Sequence, residues 1–399
     1  MKSGEKQTMR GIVLAGVHAW GESALERICP RPLLPIAGRP LVWYSLDWLA
    51  RGGIGRVTLC ANSDTPALQA CLGDGSRLGM ALDFYEDVMP RGPAGCARDA
   101  AQHRNADLYV VIEGTLLPRI ELGALLAAHR DSCSAVTVVA SRRGGNGDDR
   151  LEPAGIYVIS RPALELVPPK GYQDIKEMWI PRLYQHGFRT KVFAAAEATL
   201  PVRGVADYRG ALVHVLSEIE RTAEWGRGYR RSGSALLHPS AQVAASVRLS
   251  GQVLIGPCAT IEARATILGP TILGPNAQVG ASAVLSEMIA WSGCRVGRGA
   301  ILHRCLLLDD SIIEPGLIVR DAVWGTDQAR DFCGRQMENY WAFHGVDVGA
   351  NRAPDPRPQD DAPSPSPAGD AVFQPRLSPC DSWTARESTA AEECILKPV

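Results

Sequence analysis

The chain has 399 residues, enough for two or three domains with a sizeable core. Its formal net charge is −1, which argues against nucleic acid or an anionic membrane surface as the main partner. No apolar run approaches the roughly 18 residues of a membrane span, and residues 1–10 lack the apolar core of a signal peptide. We therefore expect a cytoplasmic protein, and its 11 scattered cysteines, without a C-x-x-C pair, indicate reduced structural thiols.

Residues 11–225 alternate apolar runs with amphipathic segments, a pattern typical of an α/β domain. The runs that predict strands are 12–15, 57–61, 82–85, 108–112 and 136–140. The segments that predict helices are 41–51, 65–71, 95–103 and 120–129. We expect a mainly parallel sheet covered by helices on both faces. Ligands of such sheets bind beyond the carboxyl ends of the strands, which places residues 16–31 and 113–115 at the candidate site.

From residue 243 the sequence follows a six-residue period. Eight apolar residues stand six positions apart, and three more continue the series after a slip of one residue: Val243, Leu249, Ile255, Ile261, Ile267, Leu273, Val279, Leu285, then Val296, Leu302 and Leu308. Hexapeptide repeats of this kind predict a left-handed parallel β-helix over residues 234–325, with these side chains in its interior. Its flat faces and apolar ends suit burial, so we expect an oligomer formed through the β-helix.

The remaining segments differ in composition. Residues 1–10 form an N-terminal extension, and the aromatic side chains of residues 326–349 suggest a segment that caps the β-helix. Residues 350–399 contain closely spaced prolines among Asp, Ser and Ala, which predicts a disordered tail.

Several motifs of the α/β region resemble those of the sugar-1-phosphate nucleotidyltransferases. Residues 14–32 match the length of that family's LAGG-x-GTRL-x-P-L-T-x-x-x-PKP signature without a gap. The sequence RGPAGC at 91–96 is similar to the family's L-G-T-A-G-A loop, and PAGIYV at 153–158 is similar to its N-A-G-I-Y strand. Residues 174–183 and 205–212 resemble two further segments of that family, the first of which is helical. The resemblance is greatest to mannose-1-phosphate guanylyltransferases and glucose-1-phosphate nucleotidyltransferases, and it extends over residues 11–325.

The resemblance implies a Rossmann-like nucleotidyltransferase domain followed by a β-helix, and a nucleotide or nucleotide-sugar as the ligand. The positions that it assigns to nucleotide binding are Leu14, Ala15, Gly16, Arg31, Gly92 and Gly95. It assigns Gly155 to sugar binding. In an active enzyme Arg31 would be catalytic and Mg²⁺ would be the cofactor; otherwise we expect no cofactor.

The chain departs from the family at its catalytic positions. Val17, Ala19, Trp20 and Gly21 stand where the signature has Gly, Gly, Thr and Arg, and Arg31 stands where it has Lys. The two Asp that bind metal in the family are replaced by Thr115 and, in a less secure alignment, Pro201, so we assign no metal ligand. Glu113 would point to the same side as Thr115 if its strand stayed extended, which leaves a partial replacement open.

Three functions follow from these observations. The first is a catalytically degenerate homologue that binds a nucleotide or nucleotide-sugar and regulates or supports an active nucleotidyltransferase partner. The second is an active but divergent enzyme that releases pyrophosphate. The third, acyl transfer at the β-helix, would need a histidine between coils, for which His238 and His303 are available, although a packing or surface role also explains them.

Overall fold

The computed structural model describes residues 7–16, 29–102, 105–143, 150–221 and 229–325, all within one compact unit that spans Met1–Gly349. The replaced signature residues Val17, Ala19, Trp20 and Gly21 lie outside the described residues, as do the segment 326–349 and the tail 350–399. We refer below to residues 7–221 as the N-terminal domain and to residues 229–325 as the β-helix.

The strands of the N-terminal domain follow the predicted apolar runs closely. In chain order they are β1 (Met9–Leu14), β2 (Pro35–Ile36), β3 (Arg39–Pro40), β4 (Arg56–Ala61), β5 (Ala81–Glu86), β6 (Leu108–Glu113), β7 (Leu116–Pro118), β8 (Val136–Arg143), β9 (Arg150–Ser160), β10 (Thr190–Ala195) and β11 (Thr199–Pro201). Apolar residues alternate between the two faces of β1, since Val13 packs in one buried cluster and Ile12 in another. This alternation gives the sheet an apolar layer on each side.

The helices are α1 (Leu41–Arg51), α2 (Thr65–Leu72), α3 (Gly92–Ala101), α4 (Leu122–Asp131), α5 (Arg161–Glu165), α6 (Ile180–Gln185) and α7 (Val205–Arg221). The prediction that α3 begins at Gly95 is wrong: it begins at Gly92, because Pro93 fits the first turn, where no N–H is needed. The segment predicted as one helix at 174–183 is a π-helical turn, Ile175–Trp179, followed by α6. Pro181 lacks the N–H that would continue an ordinary helical ladder.

The main sheet has the order β10-β8-β9-β6-β1-β4-β5. β1 runs parallel to β4 and β6, β4 to β5, and β8 to β10, while β9 is antiparallel to both of its neighbours. The mainly parallel sheet of a Rossmann-like domain is therefore confirmed. The carboxyl ends of β1, β4 and β6 meet at one edge, and this edge is where the candidate site lies.

The β-helix consists of three sheets of short strands. The domain-facing sheet contains Arg230–Ser232, Ala235–Leu237, Val253–Ile255, Thr271–Leu273, Ile289–Ala290, Leu306–Leu307 and Val323–Trp324. The second sheet contains Gln242–Val243, Thr260–Ile261, Gln278–Val279, Arg295–Val296 and Ile312–Ile313, and the third contains Arg248–Ser250, Thr266–Leu268, Val284–Ser286, Ile301–His303 and Ile318–Arg320. Apart from the antiparallel first pair, these strands pair in parallel between successive coils, consistent with the predicted left-handed parallel β-helix.

The six-residue period predicts the interior of the coils with one error. The residues from Ile255 to Leu285 in that series, together with Val296 and Leu302, lie in the interior cluster, and Val243 and Leu249 pack against it. Leu308, predicted as interior, is wrong: Leu307 occupies the interior, and Leu308 packs with the N-terminal domain. A five-residue side between Leu302 and Leu307 produces this shift.

The outer surface of the domain-facing sheet is buried against the N-terminal domain. Its outward side chains Leu236, Leu254, Ile272, Ile289 and Leu306 are at most 7% exposed. They belong to the same apolar cluster as Leu212, Val215, Leu216 and Ile219 of α7. The N-terminal domain and the β-helix therefore share a core.

This packing changes the expectation for the oligomer. One of the flat faces that we expected to mediate association is covered by the chain's own α7, which leaves the second sheet, the third sheet and the ends of the β-helix for association. The sequence also suggests that deletion from Ser234 onward leaves a folded N-terminal domain. Because that deletion removes the partners of Val215 and Leu216 from the shared core, the structure gives no support to that expectation.

Candidate functional site

The candidate site lies at the carboxyl ends of β1 and β6, which a backbone hydrogen bond connects. The N–H of Gly114 donates to the carbonyl oxygen of Leu14 at 2.8 Å, and the N–H of Ala15 donates to that of Cys60 at 2.7 Å. Ala15 is fully buried, whereas Gly16 is exposed, and a Cβ added to Gly16 would meet no described residue within 4 Å. Of the predicted nucleotide-binding residues, Leu14, Ala15 and Gly16 thus lie together at the open edge of the sheet.

The two positions of the missing carboxylates are brought next to each other. β11 pairs antiparallel with β7, which places Pro201 opposite Leu116. The N–H of Val202 donates to the carbonyl oxygen of Thr115 at 3.0 Å. Residues separated by more than 80 positions in the chain therefore meet beside the ends of β1 and β6, and neither Thr115 nor Pro201 offers a carboxylate.

Glu113 is the acidic residue that remains at the end of β6. The strand ends at Glu113, and Gly114 and Thr115 turn away, so the extended alternation on which the partial replacement depends does not continue. The carboxylate of Glu113 lies against Gly155, because a Cβ built on Gly155 would be 2.8 Å from Cδ of Glu113. Gly155 has φ +75° and sits where the pairing of β8 with β9 is irregular. Bulges of this kind often redirect side chains beside functional sites.

The Glu113 carboxylate also affects the pKa of a buried phenol, that of Tyr157. Burial raises the pKa of Tyr157, and the negative charges of Glu113 and Asp174 raise it further. Asp174 is already engaged, because its Oδ1 accepts hydrogen bonds from the backbone N–H groups of Lys176 at 2.6 Å and Glu177 at 2.9 Å. Tyr157 therefore stays protonated at neutral pH and can donate, but it cannot act as an anionic ligand.

The donor set at this edge does not fit the Mg²⁺ centre that the family resemblance implies. Mg²⁺ in phosphate sites takes oxygen ligands in a near-octahedral arrangement and is usually held by one or two carboxylates with the substrate phosphates. Thr115 supplies a hydroxyl, Pro201 supplies no side-chain donor, and the carboxylate of Glu113 is packed on Gly155. We therefore derive no chemical step through a metal at this site.

Gly92 and Gly95 lie at the start of α3, where the chain itself occupies the space beside them. A Cβ on Gly92 would be 2.6 Å from the carbonyl oxygen of Gln173, and one on Gly95 would be 2.8 Å from Cβ of Arg91. The N–H of Ala94 donates to the carbonyl oxygen of Gln173 at 3.1 Å. The space beside the two predicted nucleotide-binding glycines is therefore partly taken by the Gln173 backbone, and internal packing alone accounts for both glycines.

Arg91 makes further contacts that hold the segment 168–173 against the start of α3. Its guanidinium bonds the carboxylate of Asp99, and its Nη1 donates to the carbonyl oxygen of Pro168 at 3.1 Å. The N–H of Gln173 donates to the carbonyl oxygen of Arg91 at 2.7 Å. Sequence reasoning missed Gln173, because it lies far along the chain from α3 and no motif marks it.

Replacing Gly92 by Ala tests this packing role. Gly92 has φ +78°, and its added Cβ would clash with the backbone of Gln173, which cannot move aside as a flexible side chain would. We expect Gly92→Ala to lower the free energy of unfolding by about 2–4 kcal/mol, measured by urea denaturation.

Gly187 provides the matched control for that substitution. It has φ +75°, and its Cβ would meet nothing within 4 Å, so Gly187→Ala carries the backbone strain without the clash and should cost about 1–2 kcal/mol. Equal losses for the two variants would show that the contact with Gln173 is unimportant.

Arg31 begins a short 3₁₀ turn, Arg31–Leu33. The turn is anchored by the buried side chains of Leu33 and Leu34, which pack in the same cluster as Ala15. Residues 17–28 connect Gly16 to this turn and lie outside the described residues. The turn that begins at Arg31 thus packs in the same cluster as Ala15, whereas α3, which begins at Gly92, packs in a different cluster.

Comparison with known proteins agrees with this architecture. Residues 11–146 match the model of a family described as nucleotidyl transferase. The mannose-1-phosphate guanylyltransferase of Mycobacterium tuberculosis is 26% identical over 211 residues, which cover 47% of this chain and 58% of that protein. A glucose-1-phosphate thymidylyltransferase of Mycolicibacterium smegmatis is 34% identical over 107 residues, covering 27% of this chain and 37% of that protein. The aligned parts thus span less than two thirds of either relative.

A solved structure of HddC from Yersinia pseudotuberculosis, complexed with GMP-PN, covers 52% of this chain and 99% of its own, with a TM-score of 0.44 and 16% identity. The family match over residues 11–146 and these relatives agree with the resemblance of the chain's motifs to those of sugar-1-phosphate nucleotidyltransferases. Within the part of the chain that the structure describes, no helix is both long and apolar enough to cross a membrane.

Proposed function

We propose that this chain binds a nucleotide or nucleotide-sugar, of the GDP-mannose or glucose-nucleotide type, without catalysing nucleotidyl transfer. In this proposal it regulates or supports an active nucleotidyltransferase partner. The observation that carries the proposal is the meeting of Thr115 and Pro201 at the sheet edge, where the family resemblance expects two carboxylates.

The reaction of the family explains why these two positions matter. A sugar-1-phosphate attacks the α-phosphorus of a nucleoside triphosphate and pyrophosphate leaves, so negative charge must be neutralised as the bonds change. The protein contributes alignment and cations. A site that keeps Arg31 and loses both carboxylates retains part of the charge for binding phosphates and loses the groups that hold a metal for the reaction.

The features that remain are suited to binding. Among the described residues, none comes within 4 Å of a Cβ built on Gly16, which follows the buried Ala15, so these residues leave the backbone there open to a ligand. Arg31 supplies a permanent positive charge and a planar fork that matches a phosphate group. The Glu113 carboxylate lies against Gly155 at the same edge, where it can accept hydrogen bonds from sugar hydroxyls.

An active, divergent enzyme is the second candidate function, because one carboxylate, that of Glu113, remains at the end of β6 next to Thr115. Its packing on Gly155, and the lack of a carboxylate at Thr115 and Pro201, make this the weaker candidate. Acyl transfer at the β-helix has less support. Nδ1 of His238 is hydrogen-bonded to the Ser240 hydroxyl at 2.8 Å, and the ring packs edge-on against Tyr229.

Calorimetric titration of the full chain with GDP-mannose, UDP-glucose and the corresponding nucleoside triphosphates tests the proposal. We expect at least one of them to bind, and Arg31→Ala to weaken that binding about ten- to a hundredfold, because a charge-assisted contact contributes roughly 1.5–3 kcal/mol.

Arg51→Ala is the control for the removal of a positive charge. Arg51 is a surface residue of α1 paired with Asp47, so its loss should leave the affinity unchanged. The proposal fails if none of the four ligands binds at millimolar concentration, or if Arg31→Ala binds as tightly as the parent.

A further inference from the structure

Two buried phenols hold the strand that follows the Arg31 turn. Tyr44 of α1 donates its hydroxyl to the carbonyl oxygen of Ile36 at 2.8 Å. Tyr208 of α7, which is fully buried, donates its hydroxyl to the carbonyl oxygen of Pro35. Both carbonyls of β2 thus accept a bond from an aromatic side chain of another element. Because a buried carbonyl without a donor is unfavourable, these two bonds fix the path of the chain after Arg31.

The second phenol is itself oriented by the β-helix. Nε1 of Trp291, a residue 4% exposed, lies 3.1 Å from the Tyr208 hydroxyl oxygen. An indole N–H can only donate, so the phenol oxygen must accept this bond. The phenol proton is then left for the carbonyl oxygen of Pro35. One continuous chain of hydrogen bonds therefore runs from the β-helix through α7 to β2.

This chain of bonds lies inside the shared core, away from competing water. Trp291 and Tyr208 belong to the apolar cluster that contains Leu33, Leu34 and Ile36. In such surroundings the direction of each donor matters, because neighbouring hydrogen bonds polarise one another and a lost partner is not replaced by solvent. The β-helix is consequently in a position to influence where the Arg31 turn lies.

We propose that Trp291 is a positioning residue for the ligand site: acting through Tyr208, it holds the Pro35–Ile36 strand and thereby the Arg31 turn. The β-helix is then part of the support of the site as well as a partner in the core. The assignment of Arg31 to the ligand rests on the proposed function, whereas the hold of Trp291 on residues 29–36 does not.

The first test uses Trp291→Phe, which removes the N–H and keeps an aromatic ring. We expect the dissociation constant for GDP-mannose, measured by calorimetry on the full chain, to rise about three- to tenfold. Trp324→Phe is the matched control, because the Trp324 indole also donates to a backbone carbonyl, that of Ile312 at 3.1 Å, but lies in the last described coil and is 38% exposed. It should leave the affinity unchanged.

A double-mutant cycle shows whether Trp291 acts through Arg31. In the Arg31→Ala background, Trp291→Phe should cause no further loss of GDP-mannose affinity, because the contact that it positions is already absent. Independent effects, in which the two losses of affinity multiply, would overturn the proposal.

Amide hydrogen exchange followed by mass spectrometry gives a second test that needs no ligand. The N–H groups of Leu33 and Leu34 donate to Pro30 and Arg31, so peptides covering residues 29–36 report the opening of the turn. We expect three- to tenfold faster exchange there in Trp291→Phe and in Tyr208→Phe, with α4 unchanged and Trp324→Phe like the parent.

The outcomes separate the two proposals. Unchanged exchange at 29–36 in both Trp291→Phe and Tyr208→Phe overturns the positioning role, whatever the ligand does. Faster exchange at 29–36 in a chain that does not bind GDP-mannose leaves the positioning role supported and counts against the proposed function. Equal acceleration throughout the N-terminal domain would show a general loss of stability and would also overturn the proposal.

Discussion

Ile272→Asp is expected to lower the free energy of unfolding by about 4 kcal/mol or more, which for most domains removes a large part of the total stability. Ile272 points away from the interior of the β-helix and yet is only 5% exposed, because it packs in the shared core with α7. A carboxylate at this position would be buried without a partner and would displace a large apolar side chain. Urea denaturation followed by circular dichroism measures the loss.

Ile301→Asp makes the same chemical change on another sheet of the same β-helix. Ile301 also points outward, but it is 38% exposed, so water can solvate the carboxylate. We expect a change of at most about 1 kcal/mol. Similar losses from the two substitutions would contradict the assignment of the domain-facing sheet to the core, as would an Ile272→Asp variant as stable as the parent.

The α/β domain was predictable because its strands and helices differ in how apolar residues are arranged along the sequence. Runs such as residues 57–61 and 108–112 are continuously apolar, as expected of strands buried on both faces, and the structure places β4 and β6 there. The helix predicted at 41–51 has the same bounds as α1. The start of α3 was misplaced because Gly92 and Pro93 are usually found in turns, and only tertiary packing on Gln173 shows that they open the helix.

A run of apolar residues, separate from the six-residue period, could have indicated the shared core. Each described strand of the third sheet has a polar residue at one or both ends, whereas Val253, Leu254 and Ile255 of the domain-facing sheet are three apolar residues in succession. Their buried pattern repeats one coil later at Thr271, Ile272 and Leu273. Three buried residues in a row indicate a strand covered on both sides, and this signal marks the sheet that lies against α7.

The candidate site was only partly predictable, for a physical reason. Motif spacing located Thr115 and Pro201, and the structure brings them together. The same spacing could not tell whether Gly92 leaves room for a nucleotide or for the chain itself, because both require a residue without a Cβ. The contact with Gln173 depends on chain segments that are distant in sequence, so only the fold reveals it.

A large effect is also expected on the rate of nucleotidyl transfer. We expect no sugar-1-phosphate-dependent pyrophosphate release from the purified full chain with Mg²⁺, because the site lacks both carboxylates that would hold the metal. If the metal contributes about 4 kcal/mol to the stabilisation of the transition state, its loss alone lowers the rate roughly a thousandfold. The replacement of the family's Lys by Arg31 adds to this deficit, since a planar guanidinium and a compact ammonium place charge differently.

The most direct measurement is pyrophosphate release with GTP and mannose-1-phosphate, and with dTTP and glucose-1-phosphate, beside an active mannose-1-phosphate guanylyltransferase under the same conditions. Our account predicts release by the active enzyme and no more than the heat-treated background from this chain, in a preparation that binds a nucleotide or nucleotide-sugar by calorimetry. Turnover by this chain at about 1 to 10³ per second, the usual range of enzymes, would contradict the account. Its loss in Glu113→Gln would then identify Glu113 as the carboxylate that sustains the reaction.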